Sequence, residues 1–212
     1  MAYRTYLFDL DGTLIDSVEL ILASHRHACR VHLGESLPDA QFIAQMGRPL
    51  RDIYADFATD PSAVEAMIAT YRTYNVEHHD RMVSAYPGIA SLLPQLAGRG
   101  ARLAVVTSKL RDLACRGLRV AGLDGFFEVV IGADDVARGK PDPQPLLRAL
   151  DALGVDVEGA VMVGDSNHDL LAGRRAGVRT AAALWGPFER AVLEAEGPDH
   201  WLAHPEELLG HG

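Results

Sequence analysis

Short, continuous apolar runs alternate along the chain with longer segments whose apolar positions recur at helical spacing. The runs are YLFDL (6–10), RLAVVTS (102–108), FEVVIG (127–132), AVMVGD (160–165) and RTAAALW (179–185), with a weaker one at DHWLA (199–203). Because they are continuous rather than alternating, they predict parallel strands covered on both faces. Stretches such as PQPLLRALDALGV (143–155) and HDLLAGRRAGV (168–178) have helical spacing and run into glycine, a common helix stop. Strand and helix in repetition predict a doubly wound, Rossmann-like α/β sheet.

The first strand breaks this rhythm. Between it and the next run lie DSVELILASHRHACRVHLG (16–34), LPDAQFIAQMG (37–47) and PSAVEAMIATYRTYNVEHHD (61–80). Each carries apolar residues at i, i+3, i+4 and i+7, the stripe of an amphipathic helix. The expected organisation is therefore an α/β core built from residues 1–16 and 85–212, interrupted by an all-helical insertion over 17–84.

Composition narrows the function classes. The chain has 212 residues, 48% of them hydrophobic, enough for a sizeable core. Its net charge of -9 argues against a nucleic-acid surface, which is usually basic. The opening MAYRTYLFDL has no charged segment followed by a long apolar one, and no run reaches the roughly 18 apolar residues of a membrane span. With Cys29 and Cys115 far apart and no CxxC, two reduced thiols in a cytoplasmic protein are expected. Of the 20 basic residues only Lys109 and Lys140 are lysines; each is a chance survivor or stands where a compact ammonium does what a guanidinium fork cannot.

Four stretches carry candidate chemistry, three of them at the carboxyl ends of expected strands, where open α/β sheets bind ligands. In LFDLDGT, a buried strand runs into Asp9 and Asp11, costly to desolvate unless something pairs with them. One aspartate can attack phosphorus as a nucleophile, and a second can protonate the leaving oxygen and then activate water. Gly12 permits the sharp turn that brings the backbone back past the site. A calcium loop also contains DxDG, but its glycine at position six falls on Leu14 and its glutamate at position twelve on Leu20. In VMVGDSNHD, Asp165 and Asp169 stand four apart as a helix begins; each alone reads as a helix cap. Four carboxylates brought together would repel one another without a cation, and a hard ion that also binds phosphate oxygen points to Mg²⁺. VVTSK supplies Thr107 and Ser108, whose hydroxyls and N–H groups suit phosphoryl oxygens. ARGKPDP supplies Lys140 to balance the carboxylates. It is not a GxxxxGK[ST] loop, because six residues separate Gly132 from Gly139 and Pro141 follows the lysine. The histidine pairs His25/His27 and His78/His79 do not share helix faces, and they are expected as solvated or interface residues.

DLDGT, VTS, GKPDP and GDSNHD, in this order, resemble the four motifs of the haloacid dehalogenase superfamily over essentially the whole chain. The helical insertion is similar to the cap of the branch that holds phosphoglycolate phosphatases and β-phosphoglucomutases. The resemblance implies that Asp9 is the nucleophile and Asp11 the general acid/base, that Thr107 binds phosphate, and that Lys140 stabilises charge. It places Mg²⁺ at Asp9, the Asp11 carbonyl and Asp165, with Asp169 in support, and Gly12, Thr107, Ser108 and Lys140 around the phosphate. True dehalogenases lack the second aspartate, so Asp11 implies phosphate chemistry. The Schiff-base branch needs a cap lysine, and residues 17–84 have none.

In MGRPLRD (46–52), where related phosphatases place a specificity loop, Arg48 or Arg51 faces an anionic tail or is merely solvated. VEAMIATYRTYNVEHHD (64–80) and VTSKLRD (106–112) are similar to a bacterial pyrophosphatase branch of the superfamily. The expected activity is thus Mg²⁺-dependent hydrolysis of a small anionic phosphate compound, pyrophosphate or 2-phosphoglycolate, by a monomer or homodimer without nucleic-acid or membrane partners. A hexose phosphomutase keeps the same core but excludes water from the intermediate. A non-catalytic phosphate-binding protein has no need of both Asp9 and Asp11.

Overall fold

The structure is a computed structural model that describes residues 3–210. Two compact units emerge, one made of Met1–Asp16 and Ser84–Gly212, the other of Ser17–Val83. The chain opens with β1 (Thr5–Phe8) and a two-residue β2 (Ile15–Asp16). The second unit then supplies α1 (Val18–Leu33), α2 (Asp39–Ile43), α3 (Leu50–Ala55) and α4 (Pro61–Met82). The chain returns through β3 (Ser84–Ala85), α5 (Ile89–Gly98), β4 (Arg102–Val106), α6 (Arg111–Val120) and β5 (Val129–Ile131). It ends with α7 (Gln144–Leu153), β6 (Ala160–Gly164), α8 (Asn167–Ala176), β7 (Arg179–Ala183), α9 (Arg190–Glu194) and β8 (His200–Leu202).

Six strands form one parallel sheet in the order β5-β4-β1-β6-β7-β8. Every residue of β1 and β6 is buried, as continuous apolar runs with helices on both faces require. Below one face, Leu146, Ala149, Leu150 and Leu153 of α7 pack with Leu7, Val106 and Met162. Those four positions recur at i, i+3, i+4 and i+7, and Gly154 ends the helix in the left-handed conformation. From β1 the chain fills one side of the sheet with β4 and β5, then crosses to lay β6 on the other side of β1. The strand order therefore reverses around β1, and its carboxyl end is the switch point where such sheets leave a crevice.

Two short elements were not expected. Ile15–Asp16 pairs antiparallel with Ser84–Ala85, so the boundary between the units falls after Val83 and Ser84 belongs to the core. Two residues are too few to show a period of two. In the segment expected to act as a specificity loop, Leu50 already begins α3.

The helical unit is built on α1 against α4. Pro61 opens α4 behind Asp60, whose carboxylate accepts the Ser62 N–H at 3.0 Å. Its core holds Leu22, Phe42, Ile53, Tyr54, Met67 and Tyr71. The expectation of solvated histidines is corrected here. His25 is buried, stacked on Phe42 with ring centroids 4.3 Å apart, and its Nδ1 hydrogen-bonds the Tyr54 hydroxyl at 3.0 Å. His79 is buried as well. Both lie in phase with apolar neighbours on their helices, Leu22 and Cys29 for His25 and Tyr71 for His79. That phase was the signal in the sequence.

Candidate active site

Parallel register brings the chemistry together. Phe8 lies opposite both Val105 and Val163, so the residues that follow β1, β4 and β6 emerge side by side. The ladder runs one step past the strands: the Asp9 N–H donates to Val163 O at 2.9 Å, and the Thr107 N–H to Ile131 O at 2.9 Å. Asp9, Thr107 and Asp165 are all buried where a strand hands over to a loop.

Carboxylate oxygens of Asp9, Asp165 and Asp169 lie within 4.8 Å of one another. A single ammonium pairs with two of them. Lys140 Nζ donates to Asp9 Oδ1 at 2.7 Å, to Asp169 Oδ1 at 2.6 Å and to the Val106 carbonyl at 2.9 Å. An ammonium has three N–H bonds, so Lys140 is saturated. Asp169 is held from its other side by the Ser166 hydroxyl at 2.6 Å and the Ser166 N–H at 3.1 Å, the capping box that starts α8. It therefore positions Lys140 while closing the helix end. Asp165 Oδ1 accepts the Thr13 hydroxyl at 2.7 Å, and the Thr13 carbonyl accepts the Trp185 indole N–H at 2.9 Å.

The electrostatics follow from three buried negative groups against one positive. Burial pushes the Asp9 carboxyl up to about 7, with Asp169 adding to the rise and Lys140 opposing it. Burial also raises Asp165 well above the carboxylate range, reinforced by Asp9 and Asp169. For Lys140 burial works toward the neutral form, but Asp169 and Asp9 outweigh it and hold the ammonium charged. The set still carries two more negative than positive charges when ionised. A divalent, oxygen-seeking cation is what such a donor set fits.

Asp11 stands apart from this cluster. Its carboxylate pairs with Lys109 Nζ at 2.7 Å. Both lysines of the chain thus end on site carboxylates, a convergence their scarcity hinted at and that the sequence reading did not assign for Lys109. Thr107 Oγ1 accepts the backbone N–H of Lys109 at 3.1 Å, which leaves its hydroxyl proton to donate elsewhere.

Gly12 departs from its expected part. Its N–H donates to Ile15 O at 3.0 Å, so it is not a free phosphate donor. Its φ is +91°, and a Cβ there would stand 2.4 Å from Asp165 Oδ2. The glycine makes room for the carboxylate. Likewise Lys140, expected to bind substrate, has no N–H left over to do so. Ser108 is exposed beside the buried Thr107. Arg48, in the helical unit, is engaged by Gln45 Oε1 at 2.7 Å, Asp56 Oδ2 at 3.1 Å and the Asp52 carbonyl at 3.3 Å. Arg51 pairs with Glu65 at 2.5 Å.

Known proteins resemble the chain over nearly its whole length. Residues 6–183 match the haloacid dehalogenase-like hydrolase family. The chain is 41% identical over 209 residues to the pyrophosphatase PpaX of Halalkalibacterium halodurans, covering 99% of this chain and 96% of that protein. Among solved structures, a haloacid dehalogenase-like family hydrolase from Streptococcus pneumoniae superposes with a TM-score of 0.88 at 27% identity, covering 99% and 98% of the two chains. A candidate phosphoglycolate phosphatase from Lactobacillus plantarum superposes with a TM-score of 0.88 at 30% identity, covering 99% of each.

Proposed function

The chain belongs to the haloacid dehalogenase-like hydrolase family, and from that premise we propose that it hydrolyses inorganic pyrophosphate through a phosphorylated Asp9. The observation that carries the reading is the pairing of two aspartates with two different lysines. Asp9 lies buried on Lys140 and Asp11 lies two residues on, held by Lys109. The likeness to PpaX proteins over nearly the full length supports pyrophosphate as the substrate.

Asp9 Oδ1 is taken by Lys140, which leaves Oδ2 to attack phosphorus. As the Asp9–phosphorus bond forms, the bond to the bridging oxygen breaks, and Asp11 gives that oxygen a proton. The departing group leaves as phosphate. Asp11, now a carboxylate, takes a proton from water, whose oxygen attacks the phosphorus. The acyl phosphate bond breaks, phosphate departs, and Asp9 is restored. Thr107 donates its hydroxyl proton to a phosphoryl oxygen throughout. Asp9, Asp165 and the backbone carbonyl of Asp11 would hold Mg²⁺, with Asp169 in support. When bound, the ion supplies the missing positive charge at the carboxylates and at the phosphoryl oxygens.

Phosphate release from pyrophosphate in Mg²⁺ tests the reading. Asp9→Asn is expected to lose at least about 10³-fold in kcat while keeping a cooperative melt. EDTA is expected to silence the wild type, and Mg²⁺ to restore it. Undiminished turnover by Asp9→Asn would remove the nucleophile assignment, and turnover indifferent to EDTA would remove the metal. The Lactobacillus plantarum neighbour favours 2-phosphoglycolate as a second substrate. A kcat/KM higher for 2-phosphoglycolate than for pyrophosphate would transfer the assignment to it, and isomerisation of a hexose phosphate without phosphate release would make the protein a mutase.

A further inference from the structure

The two lysines of the site differ in what they have left to give. Lys140 spends all three N–H bonds on Asp9, Asp169 and the Val106 carbonyl. Lys109 Nζ makes one described hydrogen bond, to Asp11, although its side chain is only 10% exposed. A sheltered ammonium with two N–H bonds to spare is costly unless acceptors reach it. Nor is its place on the chain loose. Its N–H is fixed on Thr107 Oγ1 at 3.1 Å, and its carbonyl accepts the Ala133 N–H at 2.9 Å. The backbone is clamped on both sides, and the side chain reaches across to the loop after β1.

We infer that Lys109 is the substrate's leaving-group clamp, an ammonium that binds a second oxyanion carried by the group that departs. The inference rests on the hydrolase reading above and names the substrate class it takes. Asp11, in that reading, hands its proton to the leaving oxygen, and Lys109 is bound to Asp11. The ammonium thus stands on the leaving-group side, while Lys140 serves the nucleophile. Substrates whose leaving group carries a fixed anion fill its free N–H bonds. Inorganic pyrophosphate, with a second phosphoryl group, and a phosphorylated hydroxy acid, with a carboxylate, both qualify. An aryl phosphate brings no such group.

The test compares Lys109→Met and Lys109→Arg with wild type on pyrophosphate and on 4-nitrophenyl phosphate, both in Mg²⁺. For Lys109→Met, kcat/KM is expected to fall about thirtyfold to a hundredfold on pyrophosphate, the scale of losing charge-assisted hydrogen bonds, and mainly through KM. On 4-nitrophenyl phosphate the rise in KM is expected to be at least tenfold smaller. Lys109→Arg is expected to recover part of the pyrophosphate loss. An equal rise in KM on both substrates would overturn the clamp and leave Lys109 as a support for Asp11; no fall on pyrophosphate would overturn it outright. Calorimetric binding of methylene diphosphonate, a non-hydrolysable pyrophosphate analogue, decides the matter without turnover, since Lys109→Met is expected to bind it at least about tenfold more weakly. Equal binding by both proteins would refute the clamp. Wild-type failure to release phosphate from either substrate would instead indict the hydrolase reading.

Discussion

Both units of this protein bury titratable side chains, and they do so to opposite ends. At the sheet's switch point, Asp9, Asp165 and Asp169 are buried around one ammonium, and burial pushes Asp9 up to about 7. In the helical unit His25 is buried too, and burial pushes its ring down to about 3. Among the described residues no charge answers His25. It stacks on Phe42, meets the Tyr54 hydroxyl and stays neutral, a core side chain with a polar edge. The carboxylates differ because an ammonium with three ordered acceptors opposes the rise that burial causes. A large pKa shift by itself therefore marks burial. A shift opposed by a positioned partner marks chemistry.

The sharpest way to break this contrast is to remove the partner. Lys140→Met leaves two buried carboxylates without their cation, and breaking a buried pair from one side costs about 3–5 kcal/mol. Urea unfolding in EDTA is expected to show a loss of that order, together with loss of hydrolysis. A loss below about 1 kcal/mol would mean that something other than Lys140 compensates the cluster.

The helical unit is expected to show its burial through pH instead. The folded His25 ring has its pKa depressed to about 3, while the unfolded chain takes up a proton near 6.5. The stability this contributes is present above pH 6.5 and is lost as pH falls, because only the unfolded state gains the proton. Between pH 7 and pH 5 the loss amounts to about 2 kcal/mol. His25→Phe keeps the stack on Phe42 and is expected to remove that portion of the pH dependence in urea titrations at the two pH values. An unchanged slope in the variant would show that the ring is not buried neutral.

The smallest effect is expected at the exposed ion pairs of the helical unit. Arg48 is held by Asp56 at 3.1 Å with both side chains substantially exposed, and such pairs contribute about 0–1 kcal/mol. Arg48→Ala is expected to shift the melt little and to raise KM for pyrophosphate by less than about threefold. A rise of tenfold or more would restore Arg48 to the substrate.

What could be read ahead of the structure followed local rules. Continuous apolar runs marked all six strands of the parallel sheet, because strands covered on both faces have no polar side to alternate with. Asp9, Thr107 and Asp165 were legible as neighbours, because parallel strands end on the same edge. Ile15–Asp16 and Ser84–Ala85 were too short to carry a pattern, and His25 was misread although its helical phase with Leu22 and Cys29 pointed inward.

The sequence by itself determined which residue types stand at the ends of the strands, where the helical insertion enters, and that both lysines are exceptional among so many arginines. These are properties of spacing and composition, and spacing survives without contacts. Only the tertiary structure decided how the charges are shared. Lys140 is spent on Asp9 and Asp169, Lys109 is given to Asp11, Thr13 reaches Asp165 from 152 residues away, and Gly12 yields its space to a carboxylate. Such pairings join segments far apart in the chain, and a hydrogen bond's direction and saturation depend on where three or four atoms meet. No local period encodes that meeting.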